Sequence, residues 1–341
     1  MMNAPLRIGI AGIGRMGQRH ALNLAHRTLG AQLVAACSPV AGELEWAREK
    51  LNVKYLYREY TDLLAHPGLD AVFLVTPTTL HADQIIQGLQ AGKHVFSEKP
   101  LALNIPDCLK VEQEAAKYPK QKVMIGFVRR FDPSYRDAWD KVQAGLIGRP
   151  FLVRSQTADQ NDPSGFFVRF APTSGGAMLD MSVHDIDVAR WFLGAGGAKR
   201  VYAAGTIAIH KGLAECGDVD NGVAICEFGD GQIACFYASR TMAHGHETLS
   251  EIIGTQGRLM VGQNPRIDRV EISDAHGVRN ECTPTFYERF AEAFQLEAQA
   301  FVDAVLGDLP LPLTLRDATE ATRIGIALTQ SLRSGRAVEV E

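Results

Sequence analysis

Three groups of residues in this 341-residue chain combine types and spacings that can do chemistry. Asp180 and His184 stand four apart in GGAMLDMSVHDIDVARWFLG (175–194), so on a helix they share a face, with Asp185 and Asp187 beside them. A histidine backed by a carboxylate is a usable base near neutral pH. The same spacing also suits a solvated ion pair. Histidine plus carboxylates can also hold a metal, but further ligands at regular spacing are missing, so no metal is expected. Glu98-Lys99-Pro100 offers an ammonium group that could donate to an oxygen on which charge develops, although such a tripeptide is also a common surface turn. Gly12-Ile13-Gly14-Arg15-Met16-Gly17 reads GxGxxG, whose glycines permit a tight turn and close backbone approach to a pyrophosphate.

These residues need elements to hold them. LRIGIA (6–11), AQLVAAC (31–37), DAVFLVT (70–76), KHVFSE (93–98) and KVMIGFV (122–128) read as apolar strands separated by helical patterns. That alternation predicts a parallel sheet with right-handed crossovers, its strands buried on both faces. The glycine loop then lies between the first strand and first helix, where the helix N-terminus adds amide donors. Glu98-Lys99-Pro100 falls at the carboxyl end of a strand, the edge at which ligands of open α/β sheets bind. Beyond about residue 128 the pattern changes. A helix at 133–144 precedes the strand GRPFLVRSQT, and a second helix starts after Ser174-Gly175-Gly176. Strands then dominate, GDG (229–231) signals a tight hairpin, and two helices follow at 286–306 and 316–333. The expected fold is α/β: a doubly wound Rossmann sheet over residues 1–125, then an α+β domain with an open, mostly antiparallel sheet over 126–341.

The second strand ends Cys37-Ser38-Pro39, about where an Asp or Glu usually holds the adenosine ribose. Ser38 lacks the charge that repels a 2′-phosphate, and Arg15 could pair with one. No basic residue follows Ser38 directly, so NAD is the expected cofactor, with NADP as its competitor. A net charge of −4 with interspersed signs argues against nucleic acid as the main partner. No run of 18 apolar residues predicts a membrane span, and MMNAPLRIGIAGIG lacks the basic and long apolar regions of a signal peptide. The six cysteines form no CxxC pair and read as small core residues in a reducing cytoplasm.

GxGxxG, TPTTLHAD (76–83), AGKHVFSEKP (91–100), GFVRRFD (126–132) and GGAMLDMSVHDIDVARWFLG occur in that order and at separations that closely resemble the Gfo/Idh/MocA oxidoreductases. GFVRRFD with the DxxxHDID segment points to the inositol-dehydrogenase branch. The resemblance implies NAD(P)-dependent oxidation of a ring hydroxyl of myo- or scyllo-inositol to the ketone, in a cytoplasmic homo-oligomer, often a tetramer built on the C-terminal sheet. Lys99 would sit beside the reacting hydroxyl, with the Lys99–Pro100 bond cis. Asp180 and His184 would bind substrate and accept the proton, and Arg130, Asp159 and His246 would meet further hydroxyls. His246 stands where such enzymes often carry tyrosine, which leaves the isomer open. The glycine loop, Ser38, Thr76, Pro77, His81, Glu98, Lys99, Pro100 and Arg129 would line the cofactor. A sugar or anhydrosugar dehydrogenase on the same scaffold is the rival reading, and a non-catalytic nicotinamide sensor is a third.

Overall fold

In the computed structural model, residues 4–263 and 266–340 are described. They divide into two compact units, residues 1–131 with 292–319 and residues 132–291 with 320–341.

The first unit alternates strand and helix: β1 Leu6–Ala11, α1 Arg15–His26, β2 Ala31–Cys37, α2 Ala41–Leu51, β3 Tyr55–Tyr57, α3 Tyr60–Leu64, β4 Ala71–Leu74, α4 Thr78–Gln90, β5 His94–Glu98, α5 Ile105–Ala115 and β6 Val123–Gly126. The six strands pair in parallel in the order β3-β2-β1-β4-β5-β6, with the order reversing beside β1. Such a reversal opens a crevice at the carboxyl edge. Ile8, Ile10, Phe73, Val95 and Phe96 have no exposed surface, as expected for strands covered on both faces. Phe73 stacks on Phe96 at 4.4 Å, and Phe301 meets Phe73 edge-on at 5.4 Å, so a C-terminal helix helps seal this core. The Lys99–Pro100 peptide is cis.

The second unit contains α6 Pro133–Gln143, β7 Pro150–Gln160, α7 Phe166–Ser174, α8 Ala177–Asp180, α9 Val183–Leu193, β8 Ala198–Thr206, β9 Asn221–Phe228, β10 Ile233–Met242, β11 Glu247–Gly254, β12 Gly257–Val261, β13 Ile272–Asp274, β14 Gly277–Arg279 and α10 Phe286–Arg289. The remaining helices are α11 Ala291–Leu306, which belongs almost wholly to the first unit, and α12 Leu315–Ser334, and the chain closes with β15 Val338–Glu339. Seven strands pair in the order β12-β11-β7-β10-β9-β8-β15, antiparallel throughout except between β7 and β10. The GDG hairpin joins β9 to β10 with Asp230 at φ 57° and Gly231 at φ 73°, left-handed positions that Asp and Gly tolerate.

One local expectation fails. The helix expected to run on past residue 176 is broken between Asp180 and His184, because the Ser182 amide bonds back to the Ala177 carbonyl five residues earlier (3.3 Å). That wide turn separates α8 from α9, so the two residues do not occupy successive turns of one regular helix. The helix read over 286–306 likewise divides at Phe290, with Thr285 and Glu288 forming a capping box on its short first piece.

Candidate active site

The glycine loop shows why its glycines are required. Gly12 has φ +86°, and a Cβ there would lie 2.4 Å from the Val75 carbonyl oxygen. A Cβ on Gly17 would lie 1.9 Å from the Gly12 carbonyl oxygen, so only glycine lets α1 approach β1 this closely. Over Gly14 there is room: among the described residues beyond its chain neighbours, a Cβ would touch only Glu43 Oε1, at 3.6 Å. Gly14 caps α1 without a side-chain bond, and the first turn of α1 has no acid. Room above Gly14 at the positive end of a twelve-residue helix fits a dinucleotide pyrophosphate. Ile13 is fully buried behind the loop, and Arg15 is exposed. Ser38 is buried, and its hydroxyl donates to Glu43 Oε2 at 2.5 Å while accepting from the Val40 amide at 3.1 Å.

Beyond β4, Thr76 Oγ1 donates to Gln84 Oε1 (2.6 Å), and Pro77 caps α4. His81 is buried, with its ring nitrogens 2.9 Å from the Pro100 and Thr76 carbonyl oxygens. Burial lowers its pKa against the pull of those carbonyls. The ring thus ties the segment after β4 to the segment after β5, and with it Lys99, which is half-buried.

Beneath Lys99 lies a buried polar cluster in an aromatic shell. Glu98 Oε2 accepts from the Lys99 amide (3.1 Å), and Glu98 Oε1 meets His20 Nε2 at 2.7 Å. His20 is surrounded by Phe73, Phe96 and Phe294, with ring centroids at 6.2, 5.4 and 5.6 Å. Glu297 is fully buried next to this pair; neither of its oxygens has a hydrogen-bond partner among the described residues. Burial first, and then the Glu98 charge, push the Glu297 carboxyl well above the usual range. Burial also pushes Glu98 up, but the His20 hydrogen bond and charge, with Lys99, outweigh it and hold Glu98 below. The two carboxyls are thus pushed in opposite directions, Glu297 toward its neutral form and Glu98 toward its charged form. The three side chains are close enough to hold a cation. The direct His20–Glu98 bond already uses two of the atoms a cation would need.

The second unit carries Asp180, His184, Asp159 and His246. Asp180 Oδ2 accepts from Arg240 Nη2 at 3.1 Å. Arg240 is 1% exposed, lies over the Phe167 ring at 5.1 Å, and reaches Asp218 at 3.7 Å, so one guanidinium balances two carboxylates. Asp218 Oδ1 in turn accepts from the Ala177 amide (2.9 Å), fixing the start of α8. Asp185 is fully buried and accepts from Ser155 Oγ (2.6 Å) and Thr157 Oγ1 (2.7 Å), which pins the helix bearing His184 to β7. Ser155 continues through Ser250 to the Tyr135 hydroxyl at 2.7 and 2.9 Å. Asp159 and His246, 87 residues apart, are in contact: Nδ1 lies 2.9 Å from Asp159 Oδ1. With Nδ1 donating to that carboxylate, Nε2 of a neutral ring is an acceptor, and it is buried without a hydrogen-bond partner among the described residues. Arg129 and Arg130 are buried in the short turn Val128–Phe131, with Arg130 Nη2 3.6 Å from Asp317.

Residues 6–127 match the oxidoreductase family with an NAD-binding Rossmann fold, Gfo/Idh/MocA, and residues 135–260 match the Gfo/Idh/MocA C-terminal domain. The chain belongs to the Gfo/Idh/MocA oxidoreductase family. This oxidoreductase is 37% identical to the NAD⁺-dependent scyllo-inositol 2-dehydrogenase of Bacillus subtilis, over 100% of this chain and 98% of that protein. The scyllo-inositol dehydrogenase of Lactobacillus casei, solved with bound NAD(H) and scyllo-inositol, is 39% identical with a TM-score of 0.94, covering 98% of this chain and 99% of that one. The myo-inositol 2-dehydrogenase of Lactobacillus plantarum is 36% identical with a TM-score of 0.95, covering 99% and 100%.

Several supports of this oxidoreductase's site escaped the sequence reading. Arg240 lies sixty residues from Asp180 on a strand that reads as ordinary β pattern, and Glu297 sits in a helix that reads as amphipathic. Asp185, which read as a flanking acid, is the anchor of its helix. The one available signal was an ionisable residue inside an otherwise apolar run, as with Arg240 after IACFYAS.

Proposed function

We propose that this oxidoreductase is an NAD-dependent dehydrogenase that oxidises one ring hydroxyl of an inositol, scyllo- or myo-inositol, to the ketone. The observation that carries this reading is full-length similarity to a dehydrogenase solved with NAD(H) and scyllo-inositol, in a chain that keeps the phosphate cradle, Lys99, Asp180 and His184. NAD, when bound, supplies the acceptor for the hydride that leaves the ring carbon. The glycine loop and the first turn of α1 hold its pyrophosphate, and the segments of Thr76, Pro77 and Glu98–Pro100 shape the rest of its site, with His81 bracing them. His184 Nε2 takes the hydroxyl proton. Lys99 Nζ donates to the oxygen as charge develops on it. Asp180, held by Arg240 through Oδ2, presents a fixed carboxylate to the imidazole or to a neighbouring hydroxyl. Asp159 and His246 act as one unit: the carboxylate sets the tautomer, and Nε2 accepts from a substrate hydroxyl. A buried acceptor left unmatched costs about 1–3 kcal/mol, enough to discriminate an axial from an equatorial hydroxyl. Arg129 and Arg130 stiffen the turn that follows β6.

The outer face of the second unit's sheet supports assembly into an oligomer, with a tetramer as the family analogy. Tyr202, Val223, Ile225 and Ile233 are 44, 55, 47 and 36% exposed on neighbouring strands. Their pairing places Tyr202 opposite Ile225 and Ile225 opposite Cys235, so the apolar side chains share a face. A cytoplasmic setting is supported by six free cysteines, of which Cys37, Cys108 and Cys226 are buried and Cys37 is pushed by burial up to about 12. No helix among the described residues is long and apolar enough to cross a membrane.

The test is NAD reduction measured with scyllo-, myo- and D-chiro-inositol, glucose and other aldoses. Turnover on an inositol that exceeds turnover on every aldose supports the reading. Turnover on an aldose alone moves the substrate to the sugars, and cofactor binding without any turnover favours a sensor.

A further inference from the structure

The acid that normally meets the adenosine ribose at the end of the second strand of such a sheet is missing here, and Ser38 stands in its place. The structure nonetheless brings a carboxylate to that corner from the next helix. We propose that Glu43, in the first turn of α2, is the residue that recognises the adenosine ribose and sets the preference for NAD over NADP, with Ser38 as its positioning residue. The inference rests on the NAD-binding reading of the first unit.

Three geometric observations carry it. Ser38 is buried at the carboxyl end of β2, and its hydroxyl has a defined direction because the oxygen accepts from the Val40 amide at 3.1 Å. Its proton therefore goes to Glu43 Oε2, at 2.5 Å, a short charge-assisted bond that fixes the carboxylate. The other oxygen, Oε1, is the one group among the described residues, Gly14's chain neighbours aside, within 4 Å of a Cβ built on Gly14, at 3.6 Å. Gly14 is the glycine over which a pyrophosphate must pass, so Oε1 borders the dinucleotide path on the side where the strand-end acid would stand. A carboxylate oxygen is an acceptor only, which suits a vicinal diol and opposes the charge of a 2′-phosphate.

Glu43 also occupies the third position of α2, where an acid favours the helix dipole. A role confined to the helix would change melting temperature and leave nucleotide preference alone. The experiment is a direct titration of NAD and of NADP by calorimetry, without substrate, on the full chain and on Glu43→Gln, Glu43→Ala and Ser38→Ala, with melting curves for each. The wild type is expected to prefer NAD by about tenfold or more, equivalent to about 1.4 kcal/mol. In Glu43→Gln the ratio of NADP to NAD dissociation constants should fall by about tenfold, through weaker NAD and stronger NADP binding. Ser38→Ala should shift the ratio in the same direction by a smaller factor. A ratio that stays within about twofold of wild type in Glu43→Gln, whose shape leaves the fold intact, overturns the assignment. So does a wild type that binds both nucleotides equally. A wild type that binds neither refutes the NAD-binding reading itself.

Discussion

Glu297→Gln offers a sharp test of the polar cluster beneath Lys99. Glu297 has no exposed surface and lies beside a charged Glu98 that is itself paired with His20. Burial and the Glu98 charge raise its pKa well above the ordinary carboxyl value of 4.5. Above that value the unfolded chain releases the Glu297 proton while the folded chain keeps it. The folded state then binds more protons than the unfolded state, so this group's contribution is full below the unfolded pKa and is lost as pH rises toward the folded pKa. The slope is about 1.4 kcal/mol per pH unit for one proton. From the ordinary carboxyl value up to its own folded pKa the wild type should therefore lose up to about 1.4 kcal/mol per pH unit that a glutamine of nearly the same shape does not. The assay is urea unfolding of both proteins across that range, followed by circular dichroism. Titrations of groups remote from this cluster cancel in the difference. Glu297→Gln should gain on the wild type steadily with pH. A difference that stays flat from pH 5 to 8 would show that Glu297 is ionised equally in both states and refute the reasoning.

His184→Ala should lower kcat by about 10²–10⁴ while leaving NAD affinity intact, read by steady-state kinetics and titration; near-normal turnover would remove His184 as the proton acceptor. Lys99→Met should lower kcat far more than it weakens NAD binding, and a pure affinity defect would reassign Lys99 to holding the cofactor. Arg240→Met leaves Asp180 and Asp218 facing each other without the guanidinium, so it should cost about 3–5 kcal/mol in thermal or urea unfolding and raise KM, with Arg240→Lys recovering part of both.

The parts of this molecule legible in its sequence are those fixed by local pattern. The parallel sheet follows from apolar runs alternating with helical periodicity, and the glycine loop from three glycines, of which the backbone enforces Gly12 and Gly17 by direct contact and leaves Gly14 open. The hairpin at Asp230-Gly231 was equally local. What the sequence did not show depends on distant partners. The carboxylate beside the glycine loop is supplied by Glu43, because the turn through Pro39 and Val40 brings the start of α2 back onto Ser38. The balance of Asp180 against Arg240 and of Glu98 against Glu297 joins residues far apart in the chain. The break between Asp180 and His184 is a backbone event, one amide reaching back five residues, and side-chain periodicity carries no trace of it. Asp159 and His246 each carry a signal of their own, but their contact, across 87 residues, has none.

The most direct test of the central claim follows the hydride itself. Ring-deuterated scyllo- and myo-inositol are incubated with the protein and NAD, and the reduced nucleotide is analysed by mass spectrometry. Transfer of one deuterium from the ring carbon to the nicotinamide, with slower turnover than for the protiated inositol, is the predicted result. No nucleotide reduction with any inositol while NAD still binds, or reduced nucleotide that carries no deuterium, would contradict it.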